Sequence, residues 1–220
     1  IAFSGVEYLD EYTLTVGTSV VDLACTTPLS AEVDITLRIA NECEIGEAET
    51  SDMYVPMDLW WNYSYTQSIY LPADTCGAGT ISQISWSYNG DDTDTAVETI
   101  VIYMGHTDKT AYASTAATEW IPVADMTEVY SGTITITATA GWIDVNLDET
   151  FEYNGTDNLV IAVDRNTGDY VLGSTAGFYV TSTAETRSIY DYSDSINMNP
   201  LSPDIASGTN SYVPDIMINY

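Results

Sequence analysis

Apolar and polar residues alternate along most of the chain in short runs separated by Gly, Asn, Asp and Pro, the period of two expected of strands with one buried face. In Thr133-Ile134-Thr135-Ile136-Thr137 the isoleucines are expected to point inward and the threonines to solvent. Leu159-Val160-Ile161-Ala162-Val163 is apolar at every position and reads as a central strand covered on both faces. Further strands are expected over 65–71, 80–88, 99–104, 127–138, 142–147, 177–182, 188–192 and 212–219. Turn signals fall between them at Asn89-Gly90-Asp91-Asp92, Asn154-Gly155, Asn166-Thr167-Gly168-Asp169 and Ser202-Pro203-Asp204. The segment from Phe151 to Asp157, with Asn154-Gly155 at its centre, reads as a hairpin feeding the apolar strand. No amphipathic helix of useful length interrupts this pattern. It predicts an all-β fold, an antiparallel jelly-roll-like β-sandwich. Residues 12–21 and 33–40 also alternate, and the acidic stretch 41–49 then breaks the rhythm. The expected division is a short N-terminal β region over 1–50 and a sandwich over 51–220.

Composition narrows the function more than the fold. Hydrophobic residues make up 45% of 220, enough to bury a core that offsets ordering entropy. Against 33 Asp and Glu stand only Arg38, Lys109, Arg165 and Arg187, for a formal charge of -29. Such a chain repels phosphate backbones and anionic lipid, so nucleic acid is excluded as a partner, and no apolar run is long enough to insert directly into a membrane as a helix. Its field draws cations. With charged residues at only 17%, Thr, Ser, Asn and Tyr must cover the solvent face, which suits pleated surfaces. The chain starts at Ile1 without a basic and apolar leader and reads as mature or excised. Cys25, Cys43 and Cys76 allow one internal bridge. Cys25 and Cys43 flank the strand-like run 33–39 and are the expected pair in an oxidising compartment. Without a CxxC pair, and with one His, zinc is not expected.

Calcium is the cofactor this composition favours, because hard cations take six to eight oxygens from Asp, Asn, carbonyls and water. One candidate turn holds Asp91, Asp92 and Asp94. A second sets Asp164, Asn166 and Asp169 around a glycine, and a third joins Asp191 and Asp194 to nearby Asn197 and Asn199. None has the closing Glu of an EF-hand. Trp61, Tyr63 and Tyr65 would share one face of a strand and offer rings on which sugars stack. Thr95 and Ser195 stand in Asp-Thr/Ser-apolar triplets that resemble O-glycosylation sites of exported bacterial proteins, and Asn62 and Asn154 head N-glycosylation sequons. Hydrolase signatures such as GxSxG and HExxH are missing. His106, with Asp108, reads as a capping residue rather than a catalytic base.

An ordered series of motifs carries a family resemblance. It opens with Trp61-Asn62-Tyr63-Ser64-Tyr65-Thr66-Gln67-Ser68-Ile69-Tyr70 and Gly77-Ala78-Gly79-Thr80-Ile81, then Ile102-Tyr103-Met104-Gly105-His106-Thr107-Asp108-Lys109-Thr110. It continues through Trp120-Ile121-Pro122, Val129-Tyr130-Ser131-Gly132, Gly141-Trp142, Phe151-Glu152-Tyr153-Asn154-Gly155-Thr156-Asp157-Asn158-Leu159-Val160 and Val163-Asp164-Arg165-Asn166-Thr167-Gly168. This order resembles an accessory β-sandwich module of secreted and surface adhesin-type proteins of the Bacteroidota, many exported by the type IX pathway. The resemblance covers roughly 51–220 and implies an extracellular or cell-surface location. The expected function is a non-catalytic adhesion module, stabilised by calcium, that contacts glycan or a surface protein. The alternative is a subunit of an extracellular filament, sheath or virion decoration that self-assembles by donating residues 1–20 as a strand. A third reading is an accessory domain of a secreted hydrolase.

Overall fold

Branched aliphatic and aromatic residues at every second position leave the backbone few options but extended pairing, and strands dominate the chain. The computed structural model describes residues 12–16, 33–37, 42–48, 50–90, 94–170 and 175–220, and divides into two units, 1–41 and 42–220. In the first unit β1 (Tyr12–Val16) pairs antiparallel with β2 (Val33–Leu37), Leu14 opposite Ile35. The second unit begins with β3 (Glu42–Ile45), β4 (Thr50–Asp52), β5 (Tyr63–Tyr70), β6 (Gly79–Tyr88) and β7 (Ala96–Thr107). Two single-turn 3-10 helices, Ala117–Glu119 and Val123–Asp125, precede β8 (Thr127–Ile136), β9 (Gly141–Tyr153) and β10 (Asn158–Arg165). It ends with β11 (Phe178–Ser182), β12 (Ser188–Ser193), β13 (Gly208–Asn210), β14 (Tyr212–Pro214) and β15 (Ile216–Asn219).

These strands form two antiparallel sheets packed face to face, a β-sandwich. One sheet runs β13-β12-β5-β10-β7-β8. The other runs β14-β11-β6-β15-β3, with β4 on β11 and β9 on β6. Between them lie Ile100, Ile102 and Met104 of β7 and Leu159, Ile161 and Val163 of β10, packed with Ile81, Ile84 and Trp86 of β6 and Ile216 and Ile218 of β15. Each buried aliphatic side chain contributes about 1.5–3 kcal/mol relative to exposure. On β8, Ile134 and Ile136 are buried while Thr133 and Thr135 are exposed, as the alternation predicts.

The strand β10 sits between β5 and β7 and is buried along its whole length. Its inner face joins the intersheet core. Its outer face joins a second cluster of Tyr65, Ile69, Tyr112, Trp120, Ala162, Ile189 and Ala206. Gln67 fastens the connection between β7 and β8 over that cluster: its Nε2 donates to the Ile121 carbonyl (2.8 Å) and to the Tyr65 hydroxyl (2.8 Å). Its Oε1 accepts from Ile121 N–H (2.9 Å) and Tyr112 O–H (3.2 Å). A fully buried amide with all four positions engaged acts as one rung of a sheet.

Three expectations are corrected. The sandwich starts at Glu42 rather than 51, because β3 pairs with β15 and buries Cys43 and Ile45 while Glu42 and Glu44 face out. Acidic residues that read as a breaker are the solvent face of a strand. The disulfide joins Cys43 to Cys76, not to Cys25, with Cα atoms 5.6 Å apart, since pairing with β15 carries Cys43 to the turn before β6. Cys25 lies outside the described residues. Asn154-Gly155 is not a hairpin: β9 pairs with β6 and β10 with β5 and β7, so the turn carries the chain from one sheet to the other. Asn154 Oδ1 accepts from the N–H of Thr156 (2.9 Å) and of Asp157 (3.0 Å), and Gly155 adopts φ +68° with the Ala78 backbone against it. His106 Nε2 accepts the Asn154 N–H (3.2 Å) beneath Phe151 and Tyr153, a structural cap as expected.

Candidate functional site

The segment between β4 and β5 is shaped by Val55, Met57 and Leu59, all buried, which alternate along it and pin it to the core. Tyr54 is thereby left half-exposed and Trp60 exposed. Asp52 starts the segment: its Oδ1 accepts from Tyr54 N–H (2.7 Å) and Val55 N–H (3.2 Å), and its Oδ2 accepts from Asn210 Nδ2 (3.3 Å). Thr66 donates to the Pro56 carbonyl. Asp58 ends it, its Oδ1 accepting the Trp60 N–H (2.9 Å) and its own N–H donating to Ser64 Oγ (3.0 Å).

Rings from this segment stack on rings of β12. Tyr54 lies on Tyr190 (centroids 4.4 Å apart, planes 6° apart) and beside Tyr192 (5.8 Å), and Trp61 stacks on Tyr192 (4.5 Å). All four are half-exposed. Next to them Trp60, 41% exposed, meets Tyr170, 53% exposed, at 5.6 Å and a 42° tilt. The result is an aromatic ledge along one edge of the sandwich. A groove of about 420 Å³ adjoins it, lined by Asp52, Met53, Tyr54, Thr175, Ala176 and Gly177. That volume lies within the range of small-ligand sites, roughly 300–1,000 Å³.

Arg165 anchors the ledge from below. Fully buried, it donates through Nε to Glu98 Oε2 (2.5 Å), through Nη1 to the Trp61 carbonyl and through Nη2 to the Asp169 carbonyl (2.8 Å). Thr167 Oγ1 also donates to Glu98 Oε2 (2.6 Å). One guanidinium thus ties both aromatic loops to the end of β10. Burial pushes the Asp58 carboxyl up to about 7, against the opposing pull of the Trp60 N–H and of Arg165. Asp58 Oδ2 and Asn62 Oδ1 are buried acceptors without donors. Desolvation and the neighbouring Tyr54 raise the Tyr190 hydroxyl to about 12.

The three rings singled out from the sequence part company. Tyr65 is completely buried against Trp120 (4.8 Å), with its hydroxyl on Gln67, so it is core and not ligand surface. Tyr63 is half-buried at the start of β5, its hydroxyl against Gly168. Trp61 precedes the strand, so the two-residue period does not extend to it, and it turns to Tyr192. Tyr54, Tyr170, Tyr190 and Tyr192 were not picked out. Tyr190 and Tyr192 carried a signal, an i, i+2 pair on an expected strand, but Tyr54 and Tyr170 are single residues in loops.

Asp91 and Asp92 lie outside the described residues, and Asp94 is exposed. Asp164 sits buried on β10, its Oδ2 accepting from Asn166 Nδ2 (2.9 Å) and its carboxyl raised by burial to about 6. Asp169 Oδ1 accepts the Tyr170 N–H (2.9 Å) instead. Asp191 Oδ1 accepts from Ser207 Oγ (2.6 Å) and Asn199 Oδ1 from Leu201 N–H (3.1 Å). Among the described residues no group of three or more His, Cys, Asp or Glu converges. Thr95 and Ser195 are both exposed. The side-chain nitrogens of the two sequon asparagines are engaged, Asn62 with the Asp194 carbonyl (2.9 Å) and Asn154 with Asp157 Oδ2 (2.8 Å). No helix among the described residues is long and apolar enough to cross a membrane. Compared with protein-family models and with curated proteins, the chain matches none.

Proposed function

We propose that the sandwich is a non-catalytic extracellular adhesion module that holds glycan on its aromatic ledge. The observation that carries this reading is the row of solvent-facing rings from Tyr190 through Tyr54, Tyr192 and Trp61, continued by Trp60 and Tyr170 and bordered by a groove. Pyranose faces stack on such rings, and the acidic and amide side chains around them accept hydroxyl hydrogens. The Cys43–Cys76 bridge suits an oxidising, extracellular setting. Calcium belongs to the proposal as a stabiliser drawn by the acidic turns rather than as part of the ledge.

A glycan array probed with the wild-type chain and with Trp60→Ala and Tyr54→Ala is the test. Binding that falls about tenfold or more in both variants is expected. No binding above a matched acidic control protein overturns the glycan reading and leaves a protein surface as the partner.

A further inference from the structure

Among the described residues the ledge is a stacking surface with no free cation. Each described basic side chain is already neutralised: Lys109 Nζ lies 2.8 Å from Glu119 Oε2, Arg187 Nη1 2.5 Å from Asp74 Oδ2, and Arg165 Nε 2.5 Å from Glu98 Oε2. Arg165 is the basic group nearest the ledge, and it is fully buried with both terminal nitrogens on backbone carbonyls. An anionic sugar, a sulfate or a phosphate, for which Arg and Lys are the strongest partners, meets no unpaired one there among the described residues.

What the ledge offers is the opposite. The exposed Trp60 and Tyr170 rings meet with centroids 5.6 Å apart and planes tilted by 42°, and their outward faces carry the negative end of the ring quadrupole. Asp169, next to Tyr170 in sequence, is exposed and spends only one carboxylate oxygen on the Tyr170 N–H. Asp194, whose carbonyl holds Asn62, is exposed as well. A cation seated over either ring gains cation–π attraction, which strengthens as it desolvates. The long-range field of a chain with charge -29 adds to that attraction.

We propose, resting on the glycan reading above, that the ledge selects chains of amino sugars with free ammonium groups, the ammonium seated on the outer face of the Tyr170 ring, which Trp60 supports from behind, and paired with Asp169. Stacking would hold the ring and charge would choose the substituent. N-acetylation removes the positive charge, and oxidation to a uronic acid reverses it, so both lower affinity.

Calorimetric titration with equal-length oligosaccharides of glucosamine, N-acetylglucosamine, glucose and galacturonate tests this at about 150 mM salt, where screening cuts off charges beyond roughly 8 Å. Glucosamine is expected to bind at least about tenfold tighter than glucose, and galacturonate not at all. Trp60→Ala and Tyr170→Ala, which leave net charge unchanged, should each erase that preference, with Trp60→Phe and Tyr170→Phe retaining part of it. Unaltered melting temperatures would certify that these exposed-site variants fold. Glucosamine no tighter than glucose overturns the selection and leaves the glycan reading standing. Glucosamine binding that survives both alanine variants marks adsorption of a polycation onto an acidic surface and overturns the site. Binding of no oligosaccharide overturns both.

Discussion

Asp58 and Arg165 are placed where each is costly, and their partners say why they persist. Asp58 is 1% exposed with one oxygen unpartnered, so its carboxyl prefers the neutral form up to about pH 7, far above the 3.8 of an unfolded chain. A folded value raised in this way contributes stability that is full below the unfolded value and is lost as pH rises through about 7. Asp164, raised to about 6, and Asp52, also raised by burial, act in the same direction. The melting temperature is therefore expected to fall between about pH 4 and 7 and to level off above that, and Asp58→Asn should flatten part of that fall. A wild-type melt that rises across the interval would contradict it. For Arg165, replacement by Met strands Glu98, which is wholly buried with Oε1 already unpartnered, and should cost about 3–5 kcal/mol in denaturant unfolding. Adding Glu98→Leu should recover much of the loss. An acidic residue in an aromatic stretch and a lone arginine after an apolar run were visible in the sequence. Their burial was not, because it depends on loops from distant parts of the chain closing over them.

At the scale of elements, β5 shows how a strand can be read correctly and its faces misassigned. Its extended conformation follows from the local pattern, yet every position after Tyr63 is buried, because β10 and β12 flank it and the 108–126 connection covers its outer face. Gln67 makes that cover cohere. Gln67→Met is expected to leave the Ile121 N–H and carbonyl and two tyrosine hydroxyls short of partners, lowering stability by about 2–4 kcal/mol. Hydrogen exchange should accelerate in 108–126 before the core strands respond. The edge element β3 is held differently, by ladder bonds to β15 and by the disulfide. Replacing Cys43 and Cys76 together with Ala is expected to cost about 2–4 kcal/mol, a loss read by equilibrium unfolding. The outward acids of β3 disguised it as a linker. Its partner, at the far end of the chain, identifies it as a strand.

For the whole molecule the dominant quantity is charge. A chain carrying -29 repels itself in the compact state, and salt relieves that repulsion within a Debye length of roughly 8 Å at physiological ionic strength. Raising sodium chloride from about 0.05 to 0.5 M should increase the melting temperature steadily. Calcium as a specific stabiliser should do so at millimolar concentration and at constant ionic strength, and chelation should reverse the gain. A response to calcium no larger than that to an ionic-strength-matched sodium salt would remove calcium from the proposal. The same charge sets the outlook of the ledge, since only a neutral or positive ligand approaches it without penalty.

That this chain builds antiparallel sheets, and that β10 is central to one of them, could be read from local pattern, because a period of two and a continuous apolar run are properties of neighbouring residues. Which cysteines join, where the sandwich begins and which rings reach solvent were set by packing between distant segments. Those outcomes depend on which strands become neighbours. Tyr65 went under Trp120, while Tyr54 and Tyr170, unremarkable in their loops, came to the surface beside residues far away in the chain.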